Sequence, residues 1–120
     1  MTIRVDTQEI GSRGEDIAMA WLREQGYYIV ERNWRIGHYE IDIIAQRFDT
    51  LHFVEVKTRS IRSWESPYDS ITQSKKDALR KGMLSYRTIY RTPLETQVDL
   101  IAIVIDDHGN YTLEYTERIL

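Results

Sequence analysis

The sequence predicts an α/β fold with the element order α β β β α β β. Three observations predict it. Ile17, Ala18, Trp21 and Leu22 recur at helical spacing, and Ile71, Ala78, Leu79, Met83, Tyr86 and Tyr90 do so again. Glu40–Lys57 (EIDIIAQRFDTLHFVEVK) holds two β-branched apolar runs around a short polar break. Val98–Ile105 is nearly continuous apolar sequence, as a strand buried on both faces requires. A chain of 120 residues is expected to form a single domain, residues 1–120, large enough for its own core.

Residues 1–10 carry no pattern and read as a partly ordered lead-in. Ser12-Arg13-Gly14-Glu15 has the form of a capping box, so the first helix is expected over Arg13–Gln25, with Gly26 beyond its end. Tyr27–Arg35 reads as the first strand and Ile36–Tyr39 as a turn. Ile41–Ala45 and Leu51–Val56 then form a hairpin closed at Arg47–Thr50. Phe48-Asp49 lacks the Gly or Asn that favours a two-residue turn.

Thr58–Asp69, which contains Pro67, reads as a long loop. Ser70 opens the second helix and Thr92-Pro93 ends it. His108-Gly109-Asn110 marks a turn before an alternating outer strand, Tyr111–Thr116.

Composition removes several classes of function. The absence of cysteine excludes disulfides, thiolate zinc sites and cysteine nucleophiles. No apolar run has membrane-spanning length, and the first residues lack a signal-peptide pattern, so no membrane partner and a cytoplasmic location are expected. The net charge of −3 hides a local excess of the opposite sign. From Lys57 to Arg91, nine basic residues stand against Glu65, Asp69 and Asp77. Arg59, Lys75, Lys76 and Arg80 belong to this stretch, which can follow a phosphate backbone. A solvated helix face is the commoner use of such a run.

The central hairpin carries acid inside its apolar runs. With a tight turn at Arg47–Thr50, Asp42 sits opposite Glu55 and Glu40 opposite Lys57, all four on one face. Facing carboxylates repel, so a cation is their natural companion. Asp42, Glu55 and Lys57 give the pattern D-x(12)-E-x-K, and oxygen ligands without Cys or His suit Mg²⁺ or Mn²⁺. The competing reading is a salt-bridge ladder on an exposed strand, against which the apolar IDII and FVEV contexts argue. Glu40 either pairs with Lys57 or stands at the rim. For Glu15 the capping box is the stronger reading on the residues alone. Asp99 reads as a cap or an arginine partner, and His38, His52 and His108 lack ligand spacing.

Gly14-Glu15…Ala18…Leu22…Gly26-Tyr27, Asn33-Trp34-Arg35, Glu40-Ile41-Asp42-Ile43-Ile44-Ala45 and Phe53-Val54-Glu55-Val56-Lys57-Thr58-Arg59 together resemble the YraN-type bacterial family. That family is largely uncharacterised and described as predicted endonucleases, distantly similar to archaeal Holliday-junction resolvases within the PD-(D/E)xK superfamily. The similarity spans residues 11–105.

The resemblance implies a restriction-endonuclease-like fold, a mixed central β-sheet flanked by helices. It implies metal ligation by Asp42 and Glu55 with help from Glu15, a catalytic role for Lys57, and a basic residue, Lys75, opening the second helix. Two departures stand out. Tyr39 replaces the glycine usual before Glu40, and Gln97-Val98-Asp99 replaces Arg-Phe-Asp.

The expected function is therefore Mg²⁺-dependent hydrolysis of phosphodiester bonds, in structured or branched DNA. Asp42, Glu55 and Lys57 would be catalytic. Lys75, Lys76, Arg80 and Arg59 would contact nucleic acid, and a homodimer would act on two strands. The alternative is a nucleic-acid-binding or protein-interaction module that keeps the nuclease fold without catalysis.

Overall fold

The structure is a computed structural model describing residues 7–120, with side chains for all of these except residues 7, 8 and 70. Helix α1 spans Thr7–Glu24, followed by strands β1 (Tyr28–Ile36), β2 (Tyr39–Arg47) and β3 (Thr50–Ser60). A 3-10 turn at Pro67–Ser70 leads into helix α2 (Gln73–Tyr90), and strands β4 (Glu95–Ile105) and β5 (Tyr111–Thr116) complete the fold. The expected order α β β β α β β is the observed one.

One mixed sheet runs β1-β2-β3-β4-β5. The first three strands form an antiparallel meander, β4 lies parallel to β3 from Thr50↔Glu95 to Ser60↔Ile105, and β5 returns antiparallel to β4. A parallel neighbour needs a crossover, and α2 is that crossover. Ala18 and Leu22 of α1 pack with Ile43, Ala45, Val54, Val56, Ile101 and Ile103. Leu79 and Tyr86 of α2 pack with Trp34, Ile41, Ile44, Leu51, Phe53 and Val98 on the other face. This five-stranded α/β architecture with two flanking helices is consistent with the restriction-endonuclease-like fold.

Several boundaries differ from expectation. The lead-in is helical from Thr7, and its first six residues lie outside the described residues. Ile10 packs against the α1-side core, which holds the extra turns and overrides Gly11 and Gly14 as helix breakers. Ser12 is therefore inside α1 and caps nothing, so the capping-box reading of Glu15 is wrong. Strand β3 continues through Thr58 to Ser60, shortening the expected loop.

Within that loop Ser66 and Asp69 form a capping box around the 3-10 turn. Thr72, and not Ser70, caps α2, accepting the Lys75 backbone N–H at 3.1 Å. The helix ends as expected before Thr92-Pro93, with Arg91 left-handed at φ 48°.

The hairpin register follows the expected pairing from Arg47↔Thr50 to Ile43↔Val54. Its turn is built without glycine, and Phe48 takes φ 54°. Near Asp42 the strict alternation of faces fails. Ile43 packs on the α1 side, whereas Ile41, two residues away, packs on the α2 side. The same change occurs on β1, where Asn33 between Arg32↔Ile43 and Trp34↔Ile41 has φ 53°. A left-handed residue bends a strand and raises its twist. Asp42 thus sits where the β1–β2 ribbon turns over.

Candidate functional site

Asp42 emerges at that turnover. Its Oδ2 accepts the backbone N–H of Val56 at 2.8 Å, which ties it to the strand carrying Glu55. Burial, then the Glu55 charge, push the Asp42 carboxyl up to about 7, with Glu40 adding to the rise. The Val56 amide and Lys75 oppose it without winning. Such a group is a carboxylate short of positive charge.

Glu55 points to the α2 side of β3 and is only 3% exposed. Its Oε1 lies 3.2 Å from Lys57 Nζ, and its Oε2 lies 3.5 Å from Lys75 Nζ. No hydrogen bond reaches Oε2, although it is buried. A buried carboxylate oxygen offset by an ion pair but by no hydrogen bond keeps part of its desolvation cost, which a bound cation would offset. The sequence placed Lys75 among surface phosphate contacts, whereas here its ammonium group turns onto Glu55.

Glu15 reaches the same region from α1. Burial and the Asp42 charge raise its carboxyl, while Arg32 lowers it. Arg32 contacts Glu15 at 3.5 Å and Asp16 at 2.7 Å. What permits the approach is Gly14. A Cβ there would stand 1.8 Å from Thr58 Oγ1, so only glycine lets α1 lie this close to β3. Gly82 plays the matching part in α2, where a Cβ would be 3.1 Å from Ile41 Cδ1.

The structure thus gathers Asp42, Glu55, Lys57, Glu15 and Lys75, but not every expected pairing. Glu40 does not face Lys57; it pairs with Arg35 of β1 at 3.3 Å, because the ribbon turns over at Asp42. One oxygen each from Asp42, Glu55 and Glu15 do not all fall within 4.8 Å of one another. Arg59 lies at the end of β3, 3.8 Å from Glu65, and donates to the Thr58 carbonyl. Arg80 is exposed and pairs with Asp77 one turn away, and Lys76 is half-buried in the first turns of α2.

A second titratable cluster escaped sequence reasoning. Among the described residues, His52, Asp99 and Glu117 bring one ligand atom each to within 4.8 Å of one another, a group that could hold a metal ion. Asp99 Oδ2 meets His52 Nδ1 at 2.6 Å and accepts the Tyr115 hydroxyl. Its Oδ1 accepts Gln97 Nε2 and the Arg118 amide, both at 2.9 Å. Burial acting alone would raise Asp99, yet these hydrogen bonds hold it below the ordinary value. Its partner is a histidine, not the expected arginine. The two residues lie 47 positions apart, and only the parallel β3–β4 pairing makes them neighbours. With both oxygens hydrogen-bonded, Asp99 has less to offer a cation than Glu55 Oε2, which accepts no hydrogen bond.

Two helices on a five-stranded mixed sheet, in the order α β β β α β β, are consistent with the restriction-endonuclease-like fold class. The sequence comparisons narrow this. The chain belongs to the uncharacterised protein family UPF0102, the YraN-type family, whose profile matches residues 14–103. It is 36% identical over 110 residues to a UPF0102 protein of Bacteroides thetaiotaomicron, covering 92% of this chain and 90% of that one. It is 40% identical over 119 residues to one of Pelobacter propionicus, covering 95% and 84%. A relative from Leifsonia xyli is 41% identical over 97 residues, covering 80% and 82%. Among the described residues, no helix is long and apolar enough to cross a membrane.

Proposed function

We propose that the chain is a Mg²⁺- or Mn²⁺-dependent nuclease that hydrolyses phosphodiester bonds in structured or branched DNA. The observation that carries this reading is the pair of carboxylates at the ribbon turnover: Asp42, pushed up by burial and by Glu55, beside a buried Glu55 oxygen that has the Lys75 ammonium at 3.5 Å but no hydrogen bond. Such a pair is only partly satisfied by the Val56 amide, Lys57 and Lys75, and a hard cation would complete it. The donors are all carboxylate oxygens, as those ions prefer.

Asp42 and Glu55 would hold the ion, with Glu15 contributing from α1, directly or through water. A cation bound there supplies Lewis-acid stabilisation of charge on a phosphate oxygen and lowers the pKa of a water. Lys57, half-buried beside Glu55 Oε1, donates to the attacking water or to the phosphate that gains charge. Lys75 holds the opposite oxygen of Glu55 and faces incoming phosphate from the first turn of α2. Lys76, Arg80 and Arg59 supply positive charge beyond them, which positions a nucleic-acid backbone without reading its sequence. Cutting two strands of a branch calls for a second copy related by a two-fold axis. A cytoplasmic setting agrees with such a substrate.

The experiment is cleavage of labelled four-way and flapped DNA by wild type and Asp42→Ala, with Mg²⁺, Mn²⁺ or EDTA. Metal-dependent products from wild type and none from the variant are expected. Equal binding by both proteins with no cleavage in any metal would replace the nuclease with a non-catalytic binding module.

A further inference from the structure

At the far end of the same hairpin, a concavity of about 480 Å³ is lined by Gln25, Gly26, Tyr28, Gln46, Arg47 and Phe48. Three of its features are hard to explain by folding alone. Phe48 is 82% exposed and Tyr28 71% exposed, so neither ring gains much from burial. Phe48 also holds φ 54° at the turn, a conformation that a glycine would adopt without strain. Finally, the arrangement is braced. The Arg47 guanidinium lies 5.1 Å from the Tyr27 ring centroid and 5.2 Å from that of Phe48, and Gln46 Nε2 donates to the Phe48 carbonyl at 3.4 Å. Strain, exposure and bracing in one place mark a binding surface more than a packing solution.

The chemistry of the lining selects the ligand. Two exposed aromatic faces, a guanidinium and two carboxamides (Gln25 and Gln46) suit a flat ring with donors and acceptors on its edge. A nucleobase is such a ring, and stacking on aromatic side chains is how unpaired bases are held. Distance supports the assignment. Five residues of β2 separate Asp42 from Arg47, about 17 Å of strand. Gln25 stands just past the end of α1, ten positions after Glu15, about 15 Å at the helical rise. Either path matches about four or five steps of stacked DNA at roughly 3.4 Å per step.

We propose that this pocket at the β2–β3 turn binds an unpaired base of the DNA strand, a few nucleotides from the phosphate at the acid site. The inference rests on the reading of the chain as a DNA nuclease for its choice of partner. A base held at this distance gives the protein a reason to prefer branched or frayed DNA over intact duplex, in which every base is paired.

The test compares two labelled chains of equal charge in EDTA: an oligothymidylate of about ten nucleotides, within the site size of comparable binders, and an abasic chain of the same length. Wild type is expected to bind the thymidylate about tenfold tighter, the scale of one stacked base. Phe48→Gly and Tyr28→Ala should each bring the two affinities to within about twofold, a loss of most of that stacking. Phe48→Gly should melt no lower than wild type, so its loss of binding cannot be blamed on folding. Equal affinity of wild type for the two chains, or a preference that survives Phe48→Gly, overturns the proposal. Cleavage in Mg²⁺ is scored on the same preparation. Cleavage without a base preference sinks the pocket alone, whereas a base preference without cleavage sinks the nuclease reading and leaves the pocket standing.

Discussion

Glu55 Oε2 and Lys75 Nζ lie 3.5 Å apart, one on the central strand and the other in the first turn of α2. The ion pair joins β3 to the crossover helix that follows it and sets an ammonium group beside an oxygen that no hydrogen bond reaches. In the proposed nuclease Lys75 stands in for missing positive charge, and Lys57 on the other oxygen does the chemistry. The two should separate by mutation. Lys57→Ala is expected to lower cleavage by about 100-fold or more while leaving the metal-induced rise in Tm intact. Lys75→Met should lower stability in EDTA by about 1–3 kcal/mol and regain most of it in Mg²⁺, because the cation replaces the lost ammonium. Equal effects of both variants on Tm and cleavage would deny them distinct roles.

Asp42 gives a pH signature. Its ordinary value is 3.8 and the fold lifts it to about 7. Below the unfolded value both states are protonated and the fold suffers no penalty. As pH rises through this window the unfolded chain ionises first, so stability falls and the full loss stands above about 7. Asp42→Asn keeps an oxygen for the Val56 amide and removes the titration. The variant should therefore melt higher than wild type at pH 8 in EDTA, by on the order of 2 kcal/mol. Mg²⁺ should raise the wild-type Tm more at pH 8 than at pH 5.5 and leave the variant unmoved. A variant less stable than wild type at pH 8 would make Asp42 a structural acid.

Asp99 should behave oppositely. Its hydrogen bonds hold it below the ordinary carboxyl value, so it adds stability above about pH 4 that is lost as pH falls through its folded value. Asp99→Ala strands His52, Tyr115 and the Arg118 amide, and an unfolding loss of about 2–4 kcal/mol at pH 7 is expected. The increment that Mg²⁺ adds to Tm should survive unchanged. Its disappearance would move the metal from Asp42 to the His52 cluster.

Gly14→Ala tests how α1 is seated. The added Cβ would fall 1.8 Å from Thr58 Oγ1 and 2.8 Å from Thr58 Cβ, closer than atoms approach. Helix α1 must then lift off β3, at about 1–3 kcal/mol, carrying Glu15 away from Asp42. Thr58→Gly in the same chain should restore much of the loss. A crystal structure of Gly14→Ala with α1 unmoved would refute the argument.

How much of this was legible in the sequence follows from how local each signal is. The hairpin register was, because alternation and a two-residue break fix it within 18 residues, Glu40–Lys57. Its acids were, because charge inside apolar strands is conspicuous at any resolution of reasoning. Glu15 was not legible from the residues alone: Ser12-x-x-Glu15 imitates a helix start, and only the contact of Gly14 with Thr58 shows which way the helix presents it. For Glu40 the residues left two places open, and the pairing with Lys57 fails because period-two reasoning assumes a flat strand, which the left-handed Asn33 breaks; its charge acts on Asp42 and Glu15 from the rim. His52 and Asp99 were invisible as a pair, since their contact is made by parallel strands joined through a whole helix.

That parallel pairing has a consequence for the order of folding. The β1–β2–β3 meander closes through short turns, whereas joining Thr50 to Glu95 must first enclose the 44 residues between them. Loop entropy makes the local ribbon the cheaper nucleus and the β3–β4 ladder the later event. Asp42 and Glu55 are thus brought onto one ribbon before the β3–β4 ladder closes. Mild acid, which neutralises a carboxylate of the pair, should speed the early step.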